Sequence, residues 1–334
     1  MDVMNHRESE REDWWRPRAE AVAQYIVNKF SQSDVIMLQE WWFDDSFTAI
    51  FDDATGHLFH RIAERRPSAQ RGKMRDDGLC CLVKKDGKLD LIRSDKVLTG
   101  PQRISQLVYC KEKVVHGSIG RGVYFANSHL SFPGDIDPVV NDERHANEAR
   151  IIVEALSRVG SHKSNKDSES LQIICGDFNS NSCGLAASLL ESPPYNFVNC
   201  ASATAQQMLS NVGGPVNIGV THCNHLGEKV SVDHIFLRLN QGRRSAVPCV
   251  SSKMDRCAAL AMGYLDTKGS RILHVQSDHI MIEGRQVLSD HRPVTATIEW
   301  PRMNTMSNET FQSDLYINTT MPLDPLEPAW GIVQ

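Results

Sequence analysis

Apolar and polar positions fall along the chain in a repeated order. After Pro17, the stretch Arg18 to Phe30 sets Val22, Ile26 and Phe30 four apart with Ala19 and Ala23 beside them, the stripe of an amphipathic helix. Ser33 and Asp34 end it, and Val35-Ile-Met-Leu38 follows, a continuous apolar run of strand length leading straight into Gln39-Glu40. The same grammar recurs. Leu79 to Val83 follows Asp76-Asp77-Gly78, Val123 to Ala126 precedes Asn127-Ser-His129, and Leu171 to Cys175 precedes Gly176-Asp-Phe-Asn179. Asp142 to Val159 reads as a helix with Ala146, Ala149, Ile152, Val153 and Leu156 on one face. Later strands are expected at Val230 to Leu237 and Val294 to Trp300. Strands and helices are interspersed without a long linker, so residues 1–300 read as one continuous α/β domain. From Pro301 the composition shifts to Met, Asn, Ser, Thr and Pro, and residues 301–334 read as an extended C-terminal tail. Gly160 to Ser170, rich in Ser, Lys and Asp, reads as a loop.

Composition narrows the classes. With 334 residues, 41% apolar and 23% charged, the chain is neither disordered throughout nor a collagen-like repeat. The 36 Lys and Arg against 41 Asp and Glu give a formal charge of −5, so a polyanionic partner needs a local basic patch rather than the field of the whole molecule. The dense basic run is Arg61, Arg65, Arg66, Arg71, Lys73 and Arg75, in a loop-like context of Pro, Ser, Gln and Gly. It is open between a solvated loop and a phosphate-contacting one. Nine cysteines, an odd number without a C-x-x-C pair, imply reduced thiols and an intracellular location, cytoplasmic or nuclear. His222, Cys223 and His225 lack a second cluster to complete a zinc tetrahedron. No apolar run reaches the roughly 18 residues that a membrane span needs, and the first residues are charged, so neither a span nor a signal peptide is expected.

The chemistry sits at strand ends. Glu40, His129, Asp177, Asn179, Asp233, Asp290 and His291 all stand at or beside the ends of apolar runs, where a buried charge is expensive unless paired or bound to metal. Hard oxygen donors without a thiolate set fit Mg²⁺ or Mn²⁺, and Mg²⁺ takes one or two carboxylates while keeping water for a substrate phosphate. The chemistry this points to is metal-assisted transfer of a phosphoryl group to water.

A resemblance sharpens that reading. The ordered series Leu38-Gln-Glu40, Asp76-Asp-Gly78, Asn127-Ser-His-Leu130, Gly176-Asp-Phe-Asn179, Val232-Asp-His-Ile-Phe236 and Ser289-Asp-His-Arg-Pro-Val294 resembles the endonuclease/exonuclease/phosphatase superfamily over residues 12–300. Segments around Trp14, Gln106 and Ser128 to Gly134 look most like a plant and algal branch known as calcium-binding, although the D-x-[DN]-x-[DN]-G loop pattern is missing and calcium regulation is not expected. The resemblance implies a four-layer α/β sandwich of two packed mixed β-sheets flanked by helices, the DNase I-like architecture. Members of the superfamily begin with a strand carrying an Asn near the metal, in a T-x-N pattern. Nothing strand-like precedes Asn5, so an inner strand is expected to be lacking.

The roles follow from the resemblance, position by position. Glu40 and Asp290 hold the cation, Asp177 orients or deprotonates the attacking water, and Asn179 donates to the phosphate. His291 binds the phosphate with Asp233 accepting its other N–H, and His129 supplies a second donor. Asp77, Asn127 and Arg103 contact substrate. The implied activity is phosphodiester hydrolysis, as a nuclease or RNA deadenylase-like enzyme on single-stranded nucleic acid. The alternatives are a phosphatase or sphingomyelinase-like enzyme acting on a lipid headgroup or inositol phosphate, and a non-catalytic metal-binding protein on the same fold. The lipid reading is disfavoured at this level because no exposed apolar hairpin is evident in the sequence. His234 reads as structural, since alternation turns it away from Asp233. Trp41 and Trp42 read as packing, and Arg144, His145 and Arg150 as helix surface and packing rather than catalysis.

Overall fold

The computed structural model describes residues 12–67, 76–113, 120–134, 136–160, 170–201, 221–223, 229–240, 271–277, 294–299 and 314–322. Asp290, His291, Asn5 and the basic positions 71, 73 and 75 lie outside the described residues.

The chain opens on α1 (Glu12–Phe30), β1 (Val35–Trp42), α2 (Asp45–Thr55), β2 (Phe59–Arg65), β3 (Asp77–Lys84), β4 (Leu89–Gly100), β5 (Arg103–Glu112) and β6 (Gly122–His129). It continues with α3 (Pro138–Gly160), β7 (Ser170–Asp177), α4 (Leu185–Glu191), β8 (Val198–Asn199), β9 (His222–Cys223), β10 (Lys229–Val230) and β11 (Asp233–Asn240). The last strands are β12 (Arg271–Ser277), β13 (Val294–Glu299) and β14 (Asp314–Pro322). One six-stranded sheet has the order β12-β13-β14-β1-β3-β2, the other β4-β5-β6-β7-β11-β8, and β9 and β10 form a small ribbon. Each large sheet contains one parallel pair, β1 with β14 and β6 with β7, among antiparallel neighbours. Both are therefore mixed.

Side-chain alternation assigns the layers. Along β1, Val35 and Met37 enter a core shared with Cys81, Val108, Phe125, Ile173 and Ile235, which lies between the two sheets. Ile36 and Leu38 point the other way, onto Val22, Ala23 and Ile26 of α1 and Phe47 and Phe51 of α2. The second sheet repeats the arrangement, with Ala126, Ile174 and Phe236 packed under Ile152, Val153 and Leu156 of α3 and Leu190 of α4. Two sheets with helices on both outer faces make the four-layer sandwich expected from the sequence. The thiols Cys81, Cys110 and Cys175 sit in the central layer, and burial raises their pKa, that of Cys110 to about 12.

Two elements differ from the sequence reading. First, α1 starts at Glu12 and runs through Pro17. The turn before the proline is held by burial: the Trp15 ring meets Trp42 edge-on at 5.2 Å and Phe47 at 6.5 Å, which outweighs the helix-breaking tendency of Pro17. Second, the segment expected as a tail supplies β14, which pairs parallel to β1 and antiparallel to β13. The inner position beside β1 is thus filled from the C-terminal part of the chain. Asp314-Leu-Tyr-Ile-Asn-Thr-Thr-Met-Pro322 is rich in the Tyr, Ile and Thr that suit a strand but too polar to read as one.

Asn127 joins the sheets. It is fully buried, and its Nδ2 donates to the carbonyls of Leu38 at 3.0 Å and Cys80 at 3.1 Å in the opposite sheet. Its Oδ1 accepts from Gln39 Nε2 at 2.7 Å. Gln106, also fully buried, adds a second bridge by donating to Ile62 O at 2.9 Å. Asn127, expected from the sequence to contact substrate, has its amide committed to this bridge. It shares a strand face with His129 but lies two residues deeper, roughly 6–7 Å from the rim.

Truncation before Asp314 should leave β1 and β13 without a common neighbour and abolish cooperative unfolding; a truncated chain with a native thermal transition would contradict this. Asn127→Ala removes the bridge to both carbonyls and strands the Gln39 amide. It should lower stability by about 2–4 kcal/mol in urea unfolding, against under about 0.5 kcal/mol if the bridge were incidental.

Candidate active site

The site begins with an irregularity in β1. Gln39 pairs with Leu79 and Trp41 with Gly78, so the β1–β3 register skips Glu40, an extra residue in β1. Its φ of 56° is the left-handed region, unusual for a residue with a side chain. The β1–β14 ladder slips at the adjacent step, between Leu38 and Gln39. A bulge re-aims the side chain it carries, and the Glu40 carboxylate reaches within 4.0 Å of His129 Nδ1.

His129, Asp177 and Asp233 stand in one row, because His129 pairs with Asp177 across the parallel β6–β7 ladder and Asp233 pairs with Asp177 across β7–β11. All three are buried. His129 Nε2 lies 3.5 Å from Asp177 Oδ2. Gly176 precedes Asp177 with φ 131°, and a Cβ there would sit 1.9 Å from Ser128 O, so the approach of β7 to β6 at the site requires glycine. Beyond it the backbone turns sharply. Asn179, at φ 47°, donates its N–H to Asp177 Oδ1 at 2.7 Å, and its Nδ2 donates to Leu130 O at 3.0 Å. The Asn179 amide thereby ties the two chain segments that leave the site.

The segment after His129 is braced from α3. Ser131 donates its N–H to Glu148 Oε2 at 2.9 Å and its hydroxyl to Glu148 Oε1 at 2.5 Å. His145 Nε2 donates to Ser131 O. Burial lowers the His145 pKa. Arg144 Nη2 donates to Phe132 O at 2.8 Å. These α3 residues position a loop rather than face solvent.

Two arginines enter the site. Arg103, from the start of β5, is half-buried, and its Nη1 has no hydrogen-bond partner among the described residues. Its pKa falls to about 10, through burial first and the neighbouring Arg66 second, while Glu40, Asp77 and Asp177 oppose the fall. Arg66 places Nη2 2.8 Å from His129 Nδ1 and Nη1 3.4 Å from Asp77 Oδ2. The rest of the described basic run goes elsewhere. Arg61 makes a two-pronged pair with Asp52 at 2.6 and 2.8 Å over the Trp41 ring, and Arg65 pairs with Asp76 at 2.7 Å over Phe43. The run is therefore not an open phosphate track among the described residues. Alternation along the chain was the available signal: Arg65 is exposed and Arg66 turns inward.

The structure thus brings together Glu40, Asp77, Arg103, His129, Asp177, Asn179 and Asp233. Asp290 and His291 lie outside the described residues, and with them the Asp233–His291 pairing. His234 is structural: it is buried, its Nε2 donates to Ser180 O at 2.8 Å, and its Nδ1 accepts from Asn199 Nδ2 at 3.3 Å. Trp41 is fully buried against Phe47 and Phe51. Among the described residues no three His, Cys, Asp or Glu side chains form a metal cluster. A cation of the Mg²⁺ type does not require one, and the re-aimed Glu40 carboxylate fits its preference for few carboxylates plus water and phosphate oxygen.

No family profile matches the chain, and no curated protein matches it. Solved structures do. An endonuclease/exonuclease/phosphatase from Bacteroides vulgatus superposes with a TM-score of 0.57 at 15% identity, covering 87% of this chain and 93% of its own. The human Nocturnin catalytic domain with a bound sulfate anion gives 0.53 at 14% identity, covering 83% and 84%. An endonuclease/exonuclease/phosphatase family protein from Bacteroides thetaiotaomicron gives 0.53 at 15%, covering 87% and 92%. The two sheets, their flanking helices and these superpositions establish that the chain has the fold of the endonuclease/exonuclease/phosphatase proteins.

Proposed function

We propose that this protein is a divalent-metal-dependent phosphodiesterase whose substrate is single-stranded nucleic acid. The observation that carries the reading is the convergence at one rim of the sandwich of Glu40, His129, Asp177 and Arg103, whose Nη1 has no partner among the described residues. Carboxylates for a cation and a base, set beside buried cationic donors, match the needs of a phosphate ester attacked by water.

In this reading Glu40, with Asp290, holds Mg²⁺ or Mn²⁺, which when bound supplies charge neutralisation at a phosphate oxygen and at the leaving oxygen. Asp177 orients the attacking water and takes its proton. One carboxylate oxygen of Asp177 is held by the Asn179 N–H, which fixes the plane of the group. Charge developing on the phosphoryl oxygens is met by Arg103 Nη1, by His129 and by the second N–H of the Asn179 amide, all fixed before substrate arrives. Asp233, in the same row, serves to orient His291. Asp77 acts through Arg66.

A second reading, hydrolysis of a lipid headgroup, has one observation in its favour. Phe132, Ile136, Val139 and Val140 are 60%, 42%, 66% and 54% exposed on the segment that follows His129. An exposed apolar string beside a site is what a lipid surface would bind. No helix among the described residues is long and apolar enough to cross a membrane.

The test is hydrolysis of a fluorescent single-stranded oligonucleotide with Mg²⁺, with EDTA and with Asp177→Asn. Cleavage should need the metal, fall by about 10²–10⁴ in the variant and weaken as salt rises. Turnover of sphingomyelin vesicles but of no oligonucleotide would favour the lipid reading, and full activity in Asp177→Asn would remove Asp177 from its role.

A further inference from the structure

We propose that Arg66 is a positioning residue that fixes the tautomer of His129, with Nδ1 as acceptor and the ring hydrogen on Nε2. The inference deepens the phosphodiesterase reading in what it implies for turnover, whereas the tautomer itself rests on geometry alone.

The chain delivers Arg66 to this place by local rules. Its N–H donates to Asp77 O at 3.1 Å, which extends the β2–β3 ladder one residue past Arg65. Pro67 follows, and a residue before proline is confined to extended backbone. Extended backbone sends Arg65 and Arg66 to opposite faces, Arg65 outward to Asp76 and Arg66 inward to the site. The inward side chain is only 12% exposed. Asp77 Oδ2, 3.4 Å from Nη1, holds one edge of the guanidinium while Nη2 reaches His129 Nδ1 at 2.8 Å.

The chemistry of the pair decides the tautomer. A guanidinium carries donors only and keeps its proton at any working pH. An imidazole nitrogen that meets such a donor at hydrogen-bond distance must accept, so Nδ1 bears the lone pair and Nε2 bears the hydrogen. Nε2 is the nitrogen that faces Asp177 Oδ2 at 3.5 Å, the side on which water and phosphate are placed in the proposed function. Arg66 also displaces a competitor. Glu40 Oε1 stands 4.0 Å from the same Nδ1, and a carboxylate there would draw an N–H onto Nδ1, leaving Nε2 as an acceptor. With the arginine in place, His129 presents a donor toward the reaction. Without it, two carboxylates compete for the ring hydrogen, Glu40 at Nδ1 and Asp177 at Nε2, and an Nδ1–H population opens beside the Nε2–H form.

The experiment reads ring nitrogens directly. Protein labelled with ¹⁵N-histidine is observed by long-range ¹H–¹⁵N correlation at about pH 8, above the ordinary histidine range, with the His129 signals identified by their loss in His129→Gln. The wild type should show unprotonated Nδ1 and protonated Nε2. Arg66→Met should move His129 toward the Nδ1–H form, and Arg66→Lys, which restores a donor, should return it. A wild-type ring with a proton on Nδ1 overturns the proposal, and does so even if Arg66→Met fails to fold. An unchanged ring in a folded Arg66→Met variant overturns it equally. On an active oligonucleotide substrate, Arg66→Met should lower kcat about 10- to 100-fold with KM changed less than about threefold. A loss confined to KM would make Arg66 a phosphate-binding group instead and overturn the positioning role. Absence of oligonucleotide turnover would count against the nuclease reading while leaving the ring measurement to decide the tautomer.

Discussion

The site depends on an interruption of β1. A strand flanked by β14 and β3 would normally commit every backbone group to a ladder and every side chain to one of two faces. At Gln39 and Glu40 both ladders slip within adjacent residues, and Glu40 adopts a left-handed backbone. Such a conformation costs about 1–3 kcal/mol for a residue with a side chain. It persists because the opposite sheet holds the strand just before the break: Asn127 takes the carbonyls of Leu38 and Cys80, and Gln39 closes the set by donating back to Asn127. The bridge spans the apolar layer where an unpaired amide would be heavily penalised. It fixes the separation of the two sheets at the level of the site. Glu40 belongs to one sheet and His129 and Asp177 to the other, so their distances are a property of that bridge.

Charge within the site is balanced by allocation rather than by number. Of the three described arginines of the basic run, two are committed outside: Arg61 to Asp52 over Trp41, and Arg65 to Asp76 over Phe43. Arg66 alone turns in, beside Arg103. Two half-buried guanidiniums close enough to depress the pKa of Arg103 would repel one another in isolation, and Glu40, Asp77 and Asp177 hold them together. Arginine suits this duty because its planar fork stays charged where a lysine would shed its proton. Glu40 is also the carboxylate that the proposed function gives to the divalent cation, so cation and arginines would draw on one pool of negative charge.

Much of this was legible from the sequence, for reasons that also mark where legibility ends. Apolar runs of strand length ending in Glu40, Asn127 to His129 and Asp177 exposed both the strands and the polar rim, because alternation and burial are written into consecutive residues. Strand β14 was hidden. Its place between β1 and β13 comes from pairing across the whole length of the chain, and nothing in a polar nine-residue stretch announces a partner. The part Asn127 plays between the sheets was hidden for a related reason. Alternation puts it on the same face as His129, but only depth in the sandwich separates a strut from a substrate contact. The start of α1 was obscured by Pro17, whose local preference gives way to the burial of Trp15 against Trp42 and Phe47.

The surroundings of His129 show how a shared fold leaves room for local chemistry. The ring is fixed in space by its pairing with Asp177 on β7 and by the bracing of the next residues, through Ser131 to Glu148 and through Leu130 to Asn179. Those contacts set where the ring is but not which nitrogen carries the proton. That choice falls to whatever group stands at Nδ1, and here a donor and an acceptor compete for it at 2.8 and 4.0 Å. Geometry favours the donor, whose side chain is tethered to Asp77 and whose backbone is restricted by Pro67. A rigid rim thus places the imidazole, and one arginine at the end of a strand sets its hydrogen-bonding sense toward the reaction.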